Sequence, residues 1–491
     1  MSGNTGNTNY GLGSLANNTT GYQNSAFGED ALLNNTSGYW NTSVGAYSCS
    51  TNAVGISNVS LGTNALLKNT ANYNTGLGTA ALCFNTTGQR NTAVGSNALQ
   101  NNIGGNNNIA IGAQALYENT TGYTNTAIGT FALQKNIDGN NNIAIGEQSL
   151  NLNTTGYTNV AIGVKALQSN TQGGFNIAIG EEALYQNKNS SNNIAIGYNT
   201  LKNNGSTGVL SSKNNIAIGV DTLKLNITGF DNVAIGSNNA INSISGTNNV
   251  SIGSDALYFN KDGYNNTCVG SESLNTNVSG IKNTAVGFQS LFNCISHNNT
   301  ALGHHAGADT TTGTNVTCIG YEAQPSSATA INEITLGNTS VSLLRCYGNL
   351  FNPSDERDKI NIEPLNPCLN FVKLLNPITF TWNMRDTIST RYNRENNKNE
   401  EISLPGLKGI EDIGFRAQDL RDSQIGVITI PGLVKEAQIT TLDLSGKPTS
   451  DTRLEVCYSR LIPVLVKVIQ ELSAQIDTLK SEVAALKLKV P

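Results

Sequence analysis

A regular spacing of glycine governs what this chain can fold into. Gly95, Gly112, Gly129 and Gly146 follow one another at intervals of 17 residues. Around each glycine the unit reads Asn, any residue, small, aliphatic, Gly, as in residues 108–112. The series also includes Gly13, Gly28, Gly45, Gly62, Gly78, Gly163, Gly180, Gly197, Gly219, Gly236, Gly253, Gly270, Gly287, Gly303, Gly320 and Gly337. Residues 1–345 therefore form a repeat of about 20 units, which predicts a solenoid whose units pack on their neighbours.

The composition of the unit favours strands over helices. A 17-residue unit is too short for a helical hairpin, and its Asn, Gly and Thr content disfavours helix in every copy. Side chains of consecutive strand residues, such as Ala110 and Ile111, point to opposite faces. Both positions are apolar in nearly every unit, so we expect both faces to be buried. One face would fill the coil and the other would need sister copies, which predicts an oligomeric fibre.

Asparagine occupies a fixed place before the strand. We assign this place from Asn9 to Asn299, and it is lost only at Val316 and Glu333. Stacking one unit per coil predicts a ladder of amides along the fibre.

The segment 119–122, Asn-Thr-Thr-Gly, supplies turn chemistry, and we expect its Gly122 to adopt positive φ. A five-residue insertion at residues 206–210 predicts a loop. Sequons such as those at Asn119 and Asn153 are not expected to carry glycans, since Asn and Thr are abundant throughout.

Charge and cysteine usage exclude several classes of protein. The net charge is −5 and only 13% of residues are charged, so no basic footprint for nucleic acid is present. We expect no membrane insertion, because the apolar runs are short and no signal peptide is visible. The 8 cysteines include no CxxC pair, so we expect neither a metal site nor a cofactor. Cys268 and Cys318 replace the small residue of the unit and are expected to be buried.

The repeat resembles the head repeats of trimeric autotransporter adhesins and the repeats of tail-fibre-type proteins. The shared signature is Asn-x-Ala-Ile-Gly, as at residues 108–112. The period of 17 residues is longer than that of the adhesin coil, which puts the cross-section in question. The resemblance implies a mainly β, trimeric fibre.

From Arg345 onward the period fails and the charge density rises. Several motifs then follow in a fixed order across roughly 140 residues. They are Ser354-Asp355-x-Arg357-x-Lys359, Asn361-Ile362, Leu374-Leu375-x-Pro377-x-x-Phe380-x-Trp382, Ile413-Gly414-Phe415-x-Ala417-Gln418, Tyr458-x-x-Leu461-Ile462-Pro463-Val464-Leu465 and Gln470-Glu471-Leu472. The ordered set resembles the intramolecular chaperone domain of endosialidases, peptidase family S74.

That resemblance implies self-cleavage between Pro353 and Ser354 by a Ser–Lys dyad. Ser354 would be the nucleophile and Lys359 the base, which requires a lysine pKa lowered by burial or by a nearby cation. The spacing alone does not bring the two side chains together, because residues five apart diverge on both a strand and a helix. The rigid φ of Pro353 restricts how its carbonyl can be presented for attack. The residues could instead be purely structural, in a chaperone that stays uncleaved.

The C-terminal residues carry a heptad pattern. The apolar series, which runs in steps of four and three, is Leu465, Ile469, Leu472, Ile476, Leu479, Val483, Leu486 and Val490. It predicts a coiled coil over residues 461–491, and its a and d residues favour two strands whereas the resemblance implies three. We expect the trimer, because the short coil is tethered to a larger body. An amphipathic helix that packs on its own domain is the alternative.

Together these patterns predict a fibre or spike protein with a β-solenoid at residues 1–345, a chaperone domain at residues 346–460 and the C-terminal coiled coil. We expect a homotrimer made in a host cytoplasm and carried on a virion, which attaches to a host receptor or surface glycan. A bacterial cell-surface adhesin with an uncleaved chaperone is the alternative. Ice binding and a membrane-bound transcription factor are disfavoured by irregular threonines and by the absence of a transmembrane segment.

Overall fold

The computed structural model describes residues 6–208, 212–342, 344, 359–360, 362–383, 387–393, 398–404, 408–424, 430, 433–442 and 448–488. The chain divides into two compact units. The first holds residues 1–319 and 331–333, and the second holds residues 320–330 and 334–491. The predicted boundaries at 345 and 461 stay predictions.

The repeat forms one short strand per coil. The strands are β1 Thr8–Tyr10, β2 Ser25–Phe27, β3 Thr42–Val44, β4 Val59–Leu61, β5 Thr75–Leu77, β6 Thr92–Val94, β7 Ile109–Ile111, β8 Thr126–Ile128, β9 Ile143–Ile145, β10 Val160–Ile162, β11 Ile177–Ile179, β12 Ile194–Ile196, β13 Ile216–Ile218, β14 Val233–Ile235, β15 Val250–Ile252, β16 Thr267–Val269, β17 Thr284–Val286, β18 Thr300–Leu302, β19 Thr314–Ile319 and β20 Ile331–Leu336. Neighbouring strands pair in parallel, with Ala110 opposite Ala93 and Ala127. The predicted β-solenoid is confirmed.

The inside of each coil is narrow and is filled by small and aliphatic side chains. In the coil that starts at residue 108, Ala110, Ala115 and Leu116 are fully buried. Ile109 and Ile111 point outward from the same strand, and Ile111 is 39% exposed. The alternation between strand faces is therefore confirmed, while the outer face stays partly open in the single chain.

Backbone hydrogen bonds join the coils outside the strands as well. The N–H of Gly112 donates to Val94 O at 2.8 Å, and the N–H of Leu116 donates to Ala132 O at 3.0 Å. The first of these bonds runs to the preceding coil and the second to the following coil. In this segment Gln114 and Leu116 adopt the left-handed conformation, with φ of 55° and 52°. Leucine is seldom found there, so the stacking of coils and not the residue type sets this conformation.

The predicted asparagine ladder is present inside the solenoid. The Asn108 amide donates to Gly122 O at 2.9 Å and to Asn91 Oδ1 at 3.2 Å. The backbone N–H of Asn108 also donates to Asn91 Oδ1, at 2.9 Å. Each ladder amide thus donates to a backbone carbonyl of its own coil and to the side-chain oxygen of the preceding ladder residue, so the buried polar group is satisfied.

A second asparagine ladder was not predicted. The Asn119 amide donates to Asn102 Oδ1 at 2.7 Å and to Gly122 O at 3.0 Å, and Asn136 continues the column. The local sequence had indicated only a turn role for Asn119. Because Asn119 and Asn153 are fully buried, the folded chain offers no site for glycans at these two sequons.

Three details of the repeat differ from the sequence analysis. In the first coil Asn7, not Asn9, holds the ladder place, since Asn24 N donates to Asn7 Oδ1 at 2.8 Å and Asn9 lies opposite Ala26. The first glycine of the series is accordingly Gly11, with φ of 127°, and not Gly13.

The third difference concerns Gly122, whose expected positive φ is wrong. Positive φ falls on the strand-end glycines, such as Gly112 with φ of 130°. At Gly122 a Cβ atom would lie 2.4 Å from Asn119 Oδ1 and 2.5 Å from Gly139 O. Glycine is thus required there by the close approach of the next coil.

The insertion leaves the ladder unbroken. Ile194 pairs with Ile216, 22 residues on, and Asn215 N donates to Asn193 Oδ1 at 3.1 Å. Residues 209–211 of the insertion lie outside the described residues.

The C-terminal unit contains short helices and two-stranded antiparallel sheets. Its elements are α1 Leu369–Leu374, β21 Ile378–Asn383, β22 Thr387–Asn393, β23 Lys398–Leu404, β24 Lys408–Gly414, α2 Ala417–Ser423, β25 Val434–Leu442, β26 Pro448–Val456 and α3 Leu461–Lys487. The paired strands are β21 with β24, β22 with β23, and β25 with β26.

The long helix α3 uses different faces for different contacts. Leu461, Val464 and Val468 are buried against the body of the C-terminal unit. The heptad residues from Leu465 to Leu486 lie on another face and are exposed, and Val490 lies outside the described residues. The alternative of packing on its own domain therefore holds for the first turns of α3, while the heptad seam stays open. Among the described residues, no helix combines the length and apolar composition needed to cross a bilayer.

Candidate self-cleavage site

The predicted dyad is only partly within the described residues. Pro353 and Ser354 lie outside them, so the Ser354–Lys359 pair stays a prediction. Lys359 is described, and its side chain is exposed in the single chain.

The segment that follows Lys359 is fixed to a compact hydrophobic core. This core joins α1, α2, the segment before β25 and the first turns of α3. Its fully or nearly fully buried members are Cys368, Phe371, Leu420, Ile430, Leu433, Leu461, Val464 and Val468. Leu375, Phe415 and Val456 pack against it. The core therefore joins residues that are far apart in sequence, such as Phe371 of α1 and Val468 of α3.

Glu471 ties the start of α1 to α3. Its carboxylate accepts hydrogen bonds from Cys368 N, at 2.9 Å to Oε1, and from Leu369 N, at 3.1 Å to Oε2. The N-terminal residues of a helix have unpaired N–H groups and favour a negative charge. Cys368 supplies no side-chain cap of its own, so the remote carboxylate takes that role. The sequence analysis noted Glu471 only as part of a motif.

A second contact connects two motifs of the C-terminal unit. Phe415 N donates to Tyr458 Oη at 3.3 Å, and the two rings lie 6.3 Å apart. A Cβ atom on Gly414 would lie 2.5 Å from Tyr458 Oη. The sequence Gly414-Phe415 and the distant Tyr458 thus form one contact, in which glycine leaves room for the phenol. Sequence order alone could not pair them.

The described thiols differ in burial. Cys268 and Cys318 are fully buried opposite small residues, as predicted. Burial raises the pKa of the Cys49 thiol to about 12, and it also raises the pKa of Cys268. Cys457 is exposed, and a hydrogen bond with Ser459 lowers its pKa. No group of three or more His, Cys, Asp or Glu that could hold a metal occurs among the described residues.

Part of this core lies in a region that matches a known protein family. Residues 354–434 match the family model for the chaperone of endosialidase, Peptidase_S74. The C-terminal region carries an endosialidase-type chaperone segment. The match begins at Ser354 and covers under a fifth of the 491 residues. Neither a curated protein nor a solved structure matches the chain.

The match confirms the resemblance that the ordered motifs predicted. Family S74 implies self-cleavage in general. The chaperone segment and the solenoid together fit a fibre or spike protein whose chaperone lies at the C-terminal side.

Proposed function

We propose that this protein is a homotrimeric fibre or spike of a virus or phage that serves in surface attachment. Its C-terminal segment would align the three chains and then cleave itself off before Ser354. The observation that carries the proposal is the outer face of the solenoid strands. It presents two continuous columns of side chains that stay partly exposed in the single chain.

The outer column at the end of the strands is apolar from the first coil to the last. It includes Val94, Ile111, Ile128 and Ile145, each paired in register with its neighbours. The column at the start of the strands is aliphatic from Ile143 to Val250 and consists largely of Thr towards both ends of the solenoid. An apolar face of this length exceeds the patches that soluble monomers usually expose. Burial against sister copies supplies the hydrophobic stabilisation that the narrow coil interior lacks.

The second support is the open seam of α3. Ile469, Ile476 and Val483 are each about half exposed or more, whereas only the first turns of α3 pack on its own unit. Exposed heptad residues of this kind are buried in coiled coils. The seam and the solenoid columns would therefore be covered in the same assembly step.

The proposed cleavage is an acyl transfer followed by hydrolysis. Ser354 Oγ forms a bond to the Pro353 carbonyl carbon while the Pro353–Ser354 peptide bond breaks, and Lys359 carries the hydroxyl proton to the freed amine. Water then hydrolyses the ester and releases the segment that begins at Ser354. Because Lys359 is exposed in the single chain, we expect cleavage to follow assembly, when a neighbouring chain can bury the lysine.

The mass of the assembled protein tests the proposal. We expect native mass spectrometry of the full chain to show three copies, and denaturing electrophoresis to show two fragments. Ser354→Ala is expected to leave the full-length chain intact within the trimer, whereas the matched Ser342→Ala is expected to cleave normally. A folded monomer at all concentrations would contradict the trimer. Identical fragments from Ser354→Ala and wild type would contradict the dyad.

A further inference from the structure

A cluster of aromatic rings lies on the turn edge of the first coils. Tyr22 and Tyr39 occupy the same place in successive coils, and their rings stack with centroids 4.8 Å apart and planes 5° from parallel. Trp40 stands against Tyr39 at 5.0 Å, with its plane at 83° to the phenol. Tyr22 and Trp40 are exposed, and the indole is 55% accessible. The cluster is thus a paired stack with an indole standing beside it.

The backbone at Trp40 is unfavourable for tryptophan. Trp40 has φ of 62°, and every coil places a left-handed residue at this position. The residue found here most often is asparagine, which tolerates this conformation best among non-glycine residues. The asparagines with this conformation are Asn107, Asn141, Asn192, Asn214, Asn248, Asn265, Asn298, Asn315 and Asn332.

The strain at Trp40 is not offset by full burial of the ring. A large side chain in the left-handed region costs free energy, and an exposed ring gains little hydrophobic stabilisation in return. Every coil adopts the left-handed conformation at this position, so the stacking of coils sets the backbone and does not require an aromatic side chain here. The indole is therefore better explained by recognition than by folding.

The rings are held in place before any ligand arrives. The Trp40 indole N–H donates to Gln23 Oε1 of the preceding coil, and Trp40 N donates to Tyr22 O at 3.3 Å. Tyr and Trp offer rigid contact area at a low cost in conformational entropy. A ligand that packs on these rings would lose little affinity to the ordering of side chains.

The chemistry of the cluster selects its ligand class. At this turn, the two positions that carry the rings hold Tyr22, Gln23, Tyr39, Trp40, Ile56 and Ser57 over three successive coils, and all six are uncharged. A pyranose ring offers an apolar C–H face to an aromatic plane and hydroxyl groups to a neighbouring amide such as Gln23. The absence of a basic side chain among these six residues favours a neutral sugar over a sialylated or sulfated one.

We propose that Tyr22, Tyr39 and Trp40 form a binding site for a neutral pyranose of a surface glycan. This inference rests on the attachment role proposed above and assigns it to one edge of the N-terminal coils. A related pair recurs further along, where Tyr157 and Phe175 meet at 5.1 Å with planes at 82°. Phe175 is also left-handed, with φ of 58°, and exposed. Repeated weak sites on one fibre would raise the avidity for a dense glycan.

An array of immobilised neutral and sialylated oligosaccharides tests the site with the full-length chain. We expect wild type to bind neutral oligosaccharides, and Trp40→Asn to bind them at least about tenfold more weakly. Asparagine is the residue most common at this position, so the variant is expected to fold. Trp40→Phe, which retains a ring, is expected to give an intermediate loss. Tyr123→Asn is the matched control, because Tyr123 lies at the same coil position as Tyr39 and is also exposed.

Fluorescence gives a second readout. The sequence has 2 tryptophans, so Trp382→Phe leaves Trp40 as the single indole reporter. We expect the neutral sugar that binds best on the array to change the emission of this variant. Unchanged binding by Trp40→Asn, equal loss in Tyr123→Asn, exclusive binding of sialylated sugars, or no sugar binding at all would each overturn the site.

The failure of this site and the failure of the fibre proposal are distinguishable. A trimer by mass that binds no neutral sugar contradicts only the pyranose site. A monomer that binds a neutral sugar through Trp40 contradicts only the fibre.

Discussion

The two units of this protein are stabilised over different sequence distances. In the solenoid, Asn119 bonds to Asn102 and to Gly122, so its partners lie 17 and 3 residues away. In the C-terminal unit, Glu471 bonds to Cys368, 103 residues away, and Phe371 shares a core with Val468. The solenoid can therefore lose one coil locally, whereas the described core of the C-terminal unit depends on contacts between distant parts of the sequence. The following substitutions test that difference, from the largest expected effect to the smallest.

Phe371→Ala is expected to have the largest effect. Phe371 is fully buried in the C-terminal core, and deletion of such a ring costs about 3–5 kcal/mol. We expect the whole C-terminal unit to lose its fold, and cleavage with it, while the solenoid keeps its structure. Limited proteolysis with mass mapping measures both outcomes. Phe259→Ala, at an exposed phenylalanine of the solenoid, is the control and should shift stability by no more than about 0.5 kcal/mol.

Gly129→Ala should disrupt the solenoid by about 3 kcal/mol, since it combines a forbidden conformation with a clash. Gly129 has φ of 134°, and a Cβ atom there would lie 2.6 Å from Gly146 O. We expect new proteolytic cuts confined to coils near residue 129. Gly104→Ala is the matched control, because its Cβ atom would meet only Thr87 Oγ1 at 3.4 Å. Equal melting curves for the two variants would contradict the steric role of the strand-end glycine.

Asn119→Ala should cost about 2 kcal/mol, because it removes three hydrogen bonds between buried groups. The groups affected are Asn102 Oδ1, Gly122 O and the amide of Asn136. Chemical unfolding measures the change. The half-buried Asn101 serves as the control, and Asn101→Ala should be close to wild type. Equal stability of the two variants would show that the hydrogen bonds of Asn119 do not stabilise the solenoid.

Ile109→Thr should have the smallest effect on the fold of the single chain, within about 0.5 kcal/mol. Ile109 lies on the outer face and pairs with Thr92 and Thr126, so threonine already fits this column. Ala110→Thr is its inward counterpart and should be clearly more destabilising, since Ala110 is fully buried. Thermal unfolding of the two variants compares the faces directly. A larger loss of stability in Ile109→Thr than in Ala110→Thr would contradict the assignment of Ile109 to the outer face and Ala110 to the inside.

The repeat is the part of the structure that could be predicted from sequence. Its period, parallel strands and first asparagine ladder follow from the regular placement of Gly, Asn and a small residue. The shift of the first coil to Asn7 and Gly11 was missed because Asn9 and Gly13 also fit the pattern locally. The burial of Cys268 and Cys318 was predictable, because each replaces a small residue at a fixed coil position.

The candidate site was only partly predictable. The ordered motifs indicated an endosialidase-type chaperone, and the family match to residues 354–434 confirms it. The roles of Glu471 and Tyr458 could not be predicted, because their partners lie far away in sequence and no local pattern connects them. The Ser354–Lys359 dyad stays a prediction that the Ser354→Ala variant can decide.

The sequence by itself determined which side chains recur at each coil position, and hence that one strand face is small and the other aliphatic. Only the tertiary structure decided the conformation of residues such as Leu116 and Trp40. Their left-handed backbone is imposed by hydrogen bonds to neighbouring coils and opposes the intrinsic preference of these residues. The intrinsic preference against the left-handed conformation is worth about 1–2 kcal/mol per residue, and the hydrogen bonds between stacked coils outweigh it.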